Sequence, residues 1–145
     1  MRPARRKQSV ALVPKKTKFR KHQRGRLRGQ ATGGATLSFG EFGLQSTECG
    51  YLTTNQVEAA RKSLAHFFKR GGKIWLRVFA DKIFTARAAE TRMGGGKGAP
   101  VRFVVPVKRG HILFEVAGVT AEEAKEALRL AAFKLPLVTR VVTKS

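Results

Sequence analysis

Acidic residues are scarce in this chain. Nine Asp and Glu stand against 30 Lys and Arg in 145 residues, for a formal charge of +21. The one aspartate is Asp81, so paired aspartates for acid-base or metal chemistry are excluded. The single cysteine, Cys49, excludes an internal disulfide and fits a reducing compartment. The three histidines, His22, His66 and His111, lie far apart and lack any Cys/His ligand spacing, so neither a metal nor another cofactor is expected. No Ser/His/Asp or Cys/His arrangement has local support. No apolar run approaches the roughly 18 residues that mark a membrane-spanning helix. The opening "MRPARRKQSVALVPKK" lacks the apolar stretch of a secretory signal. It is Arg-rich and acid-free, which fits an organelle transit segment only weakly.

A positive excess of this size calls for a polyanion, nucleic acid before anionic membrane. The charge is concentrated at the start. Residues 1–29 carry twelve Lys or Arg and no acid; the first acid is Glu41. Leu12, Val13, Phe19 and Leu27 are among the few large apolar residues there. Such a segment buries too little surface to offset its ordering entropy. Residues 1–35 are therefore expected to form a basic extended arm that orders on phosphates, and residues 36–145 to form the folded domain. A solvated tail is the bland alternative.

The domain shows mixed periodicities. "TLSFGEFGLQSTE" suggests short strands broken by Gly40 and Gly43. "TTNQVEAARKSLAHFFKRGG" predicts a helix. Thr53 and Gln56 form a capping box, and Val57, Ala60, Leu64, Phe67 and Phe68 share one face. Lys69 and Arg70 fall in the expected last turn, with Gly71 as the left-handed stop. Lys62, His66 and Lys69 line the opposite face, either a wet stripe or an RNA contact. "KIWLRVF", residues 73–79, alternates as a strand. Trp75 and Phe79 are expected in the core against a helix rather than stacked on bases. "VRFVVPVKRGHILFEVAG" predicts a hairpin about Lys108-Arg109-Gly110, with Pro106 at a strand end or edge. A second helix follows, with the capping box Thr120/Glu123 and a stop at Pro136. Its glutamates are balanced by Lys125, Arg129 and Lys134, so it faces solvent or body rather than a polyanion. "LVTRVVT" closes as a strand. The fold class is α+β: a two-layer sandwich of an antiparallel or mixed sheet with two main helices.

"TRMGGGKGAP" sits in a loop at 87–100. A nucleotide-binding P-loop needs a glycine five positions before Gly96, where Thr91 stands, and a Ser or Thr after Lys97, where Gly98 stands. It also needs a following helix, and a strand is predicted instead. The dinucleotide pattern fails as well, since Ala99 follows Gly94-x-Gly96 and no helix opens. What remains is a permissive finger, Arg92, Met93, Gly94, Gly95, Gly96 and Lys97, suited to threading between RNA strands. A tolerant surface loop is the alternative.

"KRGGKIWLRVFA" (69–80) and "RMGGGKGAPVRF" (92–103) resemble the two signature stretches of the sixteenth-protein family of the bacterial-type large ribosomal subunit. "PKKTKFRKHQRGRLRG", "LSFGEFGL", "QVEAARKSL" and "AAFKLPLVTRVVTK" extend the similarity over about residues 11–144. It departs at the ten leading residues "MRPARRKQSV", and at Phe84 and Ala86, where relatives often have a proline-rich loop. The resemblance implies a non-enzymatic binder of 23S-type rRNA near the central protuberance. It further implies that Lys15, Lys16, Lys18, Arg20, Lys21, Arg24, Arg26 and Arg28 run along rRNA. The loop Arg92–Lys97 would contact A-site, or P-site, tRNA. Implied partners are large-subunit rRNA, tRNA and neighbouring ribosomal proteins. No membrane and no homo-oligomer are expected. The implied location is the cytoplasmic bacterial ribosome rather than an organellar one. An off-ribosome RNA-binding module and a nucleic-acid-modifying enzyme are the other classes; the enzyme would require an acid/base cluster that the sequence lacks.

Overall fold

A computed structural model describes residues 12–145; the readings made for residues 1–11 lie outside them. From Leu12 to Glu41 the chain forms no helix and no strand longer than one bridge, Gln30 beside Arg109. The regular elements follow as β1 (Phe42–Ser46), β2 (Gly50–Thr53), α1 (Thr54–Phe67), β3 (Lys73–Leu76) and β4 (Lys82–Ala86). Then come β5 (Ala99–Val107), β6 (Ile112–Ala117), α2 (Ala121–Ala132) and β7 (Thr139–Thr143). The class is α+β as expected, but the strands make two antiparallel sheets rather than one. One has the order β3-β6-β1-β7, the other β2-β5-β4.

The predicted β5–β6 hairpin does not form. β5 pairs with β2 and β4, while β6 pairs with β1 and β3. Gln45 faces Ile112 and Gly50 faces Val107, so both chains advance five residues between the sheets and keep one register. β1–β2 and β5–β6 thus act as one two-stranded ribbon bent across both layers. Gly110, at φ +89°, takes the bend, and its N–H donates to the Ser46 carbonyl at 2.7 Å. The Lys108–Gly110 turn signal was real, but it marks a corner between sheets. Pro106 pairs with Tyr51 beyond the reach of β4, whose register stops at Val104. The missing N–H is therefore tolerated near the strand end.

Period-two alternation sets which faces are buried. Phe42, Leu44, Ile74, Leu76, Phe114, Val116 and Val141 share the helix side of the four-stranded sheet. Leu52, Val105 and Val107 give the inner side of the three-stranded sheet. Between them sit Val57, Ala60 and Leu64 of α1 and Ala124, Ala127, Leu128 and Ala131 of α2. The alanines allow the two helices to approach closely. Both capping boxes form as read, Thr53 with Gln56 and Thr120 with Glu123. The helix ends differ from expectation. α1 stops at Phe67, and Lys69 (φ 48°), Arg70 (φ 65°) and Gly72 (φ +66°) take the left-handed positions, not Gly71. Lys69 and Arg70 thus lie in the terminating loop, not the last turn. α2 ends at Ala132, before the restriction that Pro136 imposes.

The opposite face of the four-stranded sheet is covered by residues 35–41. Gly40 and Gly43 do not break strands there; they permit close approach. A Cβ on Gly40 would lie 2.7 Å from the Val116 carbonyl oxygen, and one on Gly43 would overlap Leu37. Phe39 lies against Trp75, with ring centroids 6.2 Å apart, and Arg77 stands 5.3 Å over Phe39. Trp75 is therefore half-buried under this strap rather than in the core against a helix, and Phe79 is exposed. Trp75 lies on the strand's outer side, whereas β3 ends at Leu76 and Phe79 lies beyond it in the loop to β4.

Glu115 fastens the strap. Its carboxylate, 0% exposed, accepts from the N–H groups of Ser38 (3.2 Å), Phe39 (2.7 Å) and Gly40 (2.7 Å). It also pairs with the Arg77 guanidinium. Burial pushes the Glu115 carboxyl up, but the three N–H donors and Arg77 outweigh it and hold it below the usual range. His111, under Gly34, is pushed down by burial and then by Arg77.

Both shifts predict acid instability. Each group binds its proton more readily when unfolded, so stability falls with pH. The loss begins below about 6.5 for His111 and below about 4.3 for Glu115, and each ends once pH has passed the lower folded value. Urea titrations across this range should show both steps. Glu115→Gln should cost about 3 kcal/mol at neutral pH, because it leaves Arg77 without its charged partner, and should shrink the second step, to which Glu58, held low by Arg61, also contributes.

Candidate nucleic-acid interface

The basic segment before the domain is extended, and its residues 21–24 lie along β4 and the outer side of the three-stranded sheet. Lys15, Lys16, Lys18, Arg20, Lys21, Arg24, Arg26 and Arg28 are all exposed. The arm is held mainly through its backbone and one histidine; of the eight cations only Lys21 and Arg24 turn back toward the domain. Lys82 Nζ donates to the Arg24 carbonyl, and Lys97 Nζ to the His22 carbonyl. The Ile83 N–H donates to His22 Nδ1 at 3.3 Å, which requires that nitrogen to be unprotonated. Lys21 Nζ returns to the Lys97 carbonyl at 2.9 Å. Further along, the Ala31 N–H donates to the Arg109 carbonyl at 2.8 Å.

The sheet beneath the arm turns its inner side to the core and a mixed side outward. The register places Tyr51, Lys82, Phe84, Arg102, Val104 and Pro106 on that outer side. Tyr51 and Phe84 meet edge to face at 4.8 Å. Lys82 stands 5.2 Å over Tyr51, and Arg24 stands 5.4 Å over Phe84. Cations and aromatic rings alternate, an arrangement that offers phosphate ligands and stacking platforms together. Between arm and sheet lies a cleft of about 530 Å³ lined by His22, Arg24, Phe84, Lys97, Val101 and Arg102, among others.

β4 and β5 continue into the glycine loop. Arg92, Met93, Gly94, Gly95, Gly96 and Lys97 are exposed, Met93 almost completely. Gly94, Gly95 and Gly96 have φ of +105°, +80° and +90°, and a Cβ on any of them would meet nothing within 4 Å. Their glycine requirement within the protein is thus conformational rather than steric. The two loop cations differ. Lys97 folds back onto the arm at the loop's base, whereas Arg92 and Met93 stand at its outer part. Arg87 closes the loop by donating to the Gly96 carbonyl.

The sequence profile of the family described as "Ribosomal protein L16p/L10e" matches residues 14–142. The chain belongs to that family. A relative from Trichodesmium erythraeum, "Large ribosomal subunit protein uL16", is 56% identical over 133 residues, covering 92% of this chain and 97% of the relative. The family is one of large-subunit ribosomal proteins, and its role is structural, not enzymatic. Among the described residues no group of three or more His, Cys, Asp or Glu could hold a metal, and no helix is long and apolar enough to cross a membrane.

The structure brings Lys21 and Arg24 together with Lys97, and leaves Lys15, Lys16, Lys18, Arg20, Arg26 and Arg28 spread along the arm. Sequence reasoning missed Tyr51, Lys82, Phe84 and Arg102. The alternation in "KIFTA" was an available signal, but residues 82–86 were assigned to no strand. They form β4, which adds an element to the order expected from the sequence.

The glycines separate two effects. Gly95→Val should lower stability by only about 1 kcal/mol, because the added strain is confined to an open loop. At Gly98 a Cβ would lie 2.5 Å from the Ala86 carbonyl oxygen. Gly98→Val should therefore part the base of the β4–β5 hairpin and lower the melting temperature clearly more. Thermal melting of both variants checks this.

Proposed function

We propose that this chain is a structural component of the large ribosomal subunit that grips 23S-type rRNA with its arm and the outer side of the three-stranded sheet. The tip of the glycine loop reaches A-site tRNA. Neighbouring ribosomal proteins complete its surroundings, and the cytoplasmic bacterial ribosome is its location. The observation that carries this reading is one continuous cationic and aromatic surface. The arm lies on the sheet through Lys82 and Lys97, so its exposed cations, the Tyr51/Phe84 pair and the glycine loop present a single side. α2 carries Glu122, Glu123 and Glu126, and a polyanion gains nothing there.

The family match supports the ribosomal assignment, and the physical arrangement supports the division of labour within it. Arm cations neutralise phosphates and release counterions, which makes affinity steeply salt-dependent. The loop tip has no catalytic group. It offers one guanidinium, one adaptable thioether and bare backbone, which suit contact between two RNAs rather than chemistry.

Replacing Lys15, Lys16, Lys18 and Arg20 together with glutamine should leave thermal melting unchanged. It should flatten the salt dependence of binding to a large-subunit rRNA fragment by about 0.7–0.9 log unit per lost contact, up to about 3.6 in all. An unaltered slope would remove the arm as the main phosphate ligand. Arg92→Ala should cost under about 0.5 kcal/mol of stability and leave incorporation into the subunit intact, while weakening A-site tRNA binding in reconstituted subunits. Full tRNA binding by that variant would reduce the loop to a tolerant surface segment.

A further inference from the structure

The cleft between the arm and the β4–β5 hairpin is more specific than a phosphate-binding surface needs to be. Its volume, about 530 Å³, lies within the range of about 300–1,000 Å³ typical of small-ligand sites. Its walls are chemically divided. Phe84 and Val101 give an apolar and aromatic side, whereas Arg24, Lys97 and Arg102 give a cationic side. A double helix presents mainly phosphates and sugars to such a surface and would leave the aromatic side unused. An unstacked base uses both.

We infer that this cleft holds one unpaired nucleotide of the bound RNA, its base against Phe84 and its phosphate on Arg102. The inference rests on the rRNA-binding function proposed above. Phe84 and Arg102 face each other across the β4–β5 register, so ring and guanidinium stand side by side on one sheet face. Phe84 is braced edge to face by Tyr51 at 4.8 Å, which fixes its ring plane. Arg24 already lies over Phe84 at 5.4 Å and belongs to the exposed arm. It can withdraw by the thickness of a base and cover the base's second face. His22 and Lys97 are committed to holding the arm, so they shape the cleft rather than bind the nucleotide.

The test uses two RNA hairpins that differ at a single bulged nucleotide: one carries a base there, the other is abasic. Charge and backbone are the same. The full chain should bind the base-bearing hairpin about tenfold more tightly, in line with the stacking contribution of one base on an aromatic side chain. Phe84→Leu should bind both hairpins equally, with its fold checked by circular dichroism. Arg102→Gln should weaken both and preserve the ratio. Equal affinity of the unaltered chain for the two hairpins would overturn the nucleotide site and leave the rRNA-binding reading intact. So would a ratio that survives Phe84→Leu. Failure to bind either hairpin, or a large-subunit rRNA fragment, would overturn both.

Discussion

One buried carboxylate organises the layer on which the four-stranded sheet depends. Glu115 stands in the middle of β6, where its face of the sheet would otherwise meet water. Its three backbone donors turn residues 38–40 into a strap, and Arg77 completes its coordination. The strap brings Phe39 onto Trp75 and Leu37 onto Gly43. Without the carboxylate, three N–H groups and a guanidinium would lose their acceptor, and the sheet its cover. A protein with 30 cations and nine acids uses one acid where a charge is hardest to accommodate. A buried ion pair is weak evidence for stability in general; here the three backbone donors make it a device for position.

The remaining charge is sorted by surface. α2 is nearly neutral, its three glutamates facing Lys125 and Arg129, with Glu126 paired to Arg129 on the exposed side. The arm and the β4–β5 hairpin keep their cations outward. The two lysines that bind arm carbonyls, Lys82 and Lys97, attach the arm while engaging only Lys21 and Arg24 among its own cationic side chains. An arm held in this manner keeps most of its cations exposed, and under the proposed function it already has a path along the sheet. Ordering on RNA then costs less than it would for a detached tail. The core inside α1 and α2 supplies the rigidity, and the outer sheet side supplies the chemistry.

Much of this was legible in the sequence because it is local. Both capping boxes, the apolar faces of the helices and the strand period in 112–117 and 139–143 follow from short-range rules. The failed phosphate-loop pattern is equally local. The bent ribbon was not legible. The Lys108-Arg109-Gly110 turn signal is the same for a hairpin and for a corner between two sheets, and only the partners of β5 and β6 distinguish them. Gly40 and Gly43 looked like strand breakers, because what they admit, Val116, Glu115 and Leu37, is distant or unpatterned in sequence. For the same reason Glu115 looked like one more strand residue. The arm and loop cations were evident from charge alone, whereas Phe84 and Arg102 required the pairing of β4 with β5.

The central claim is that RNA covers one continuous side of this molecule, made of the arm, the outer face of the β4–β5 layer and the glycine loop. Amide hydrogen exchange, measured on the free chain and on the chain within purified large subunits, tests it most directly. The account predicts added protection in residues 12–35 and 82–104 on assembly, with little change in α2. Protection concentrated on α2 and β7, with the arm and the β4–β5 hairpin exchanging as they do in the free chain, would contradict it.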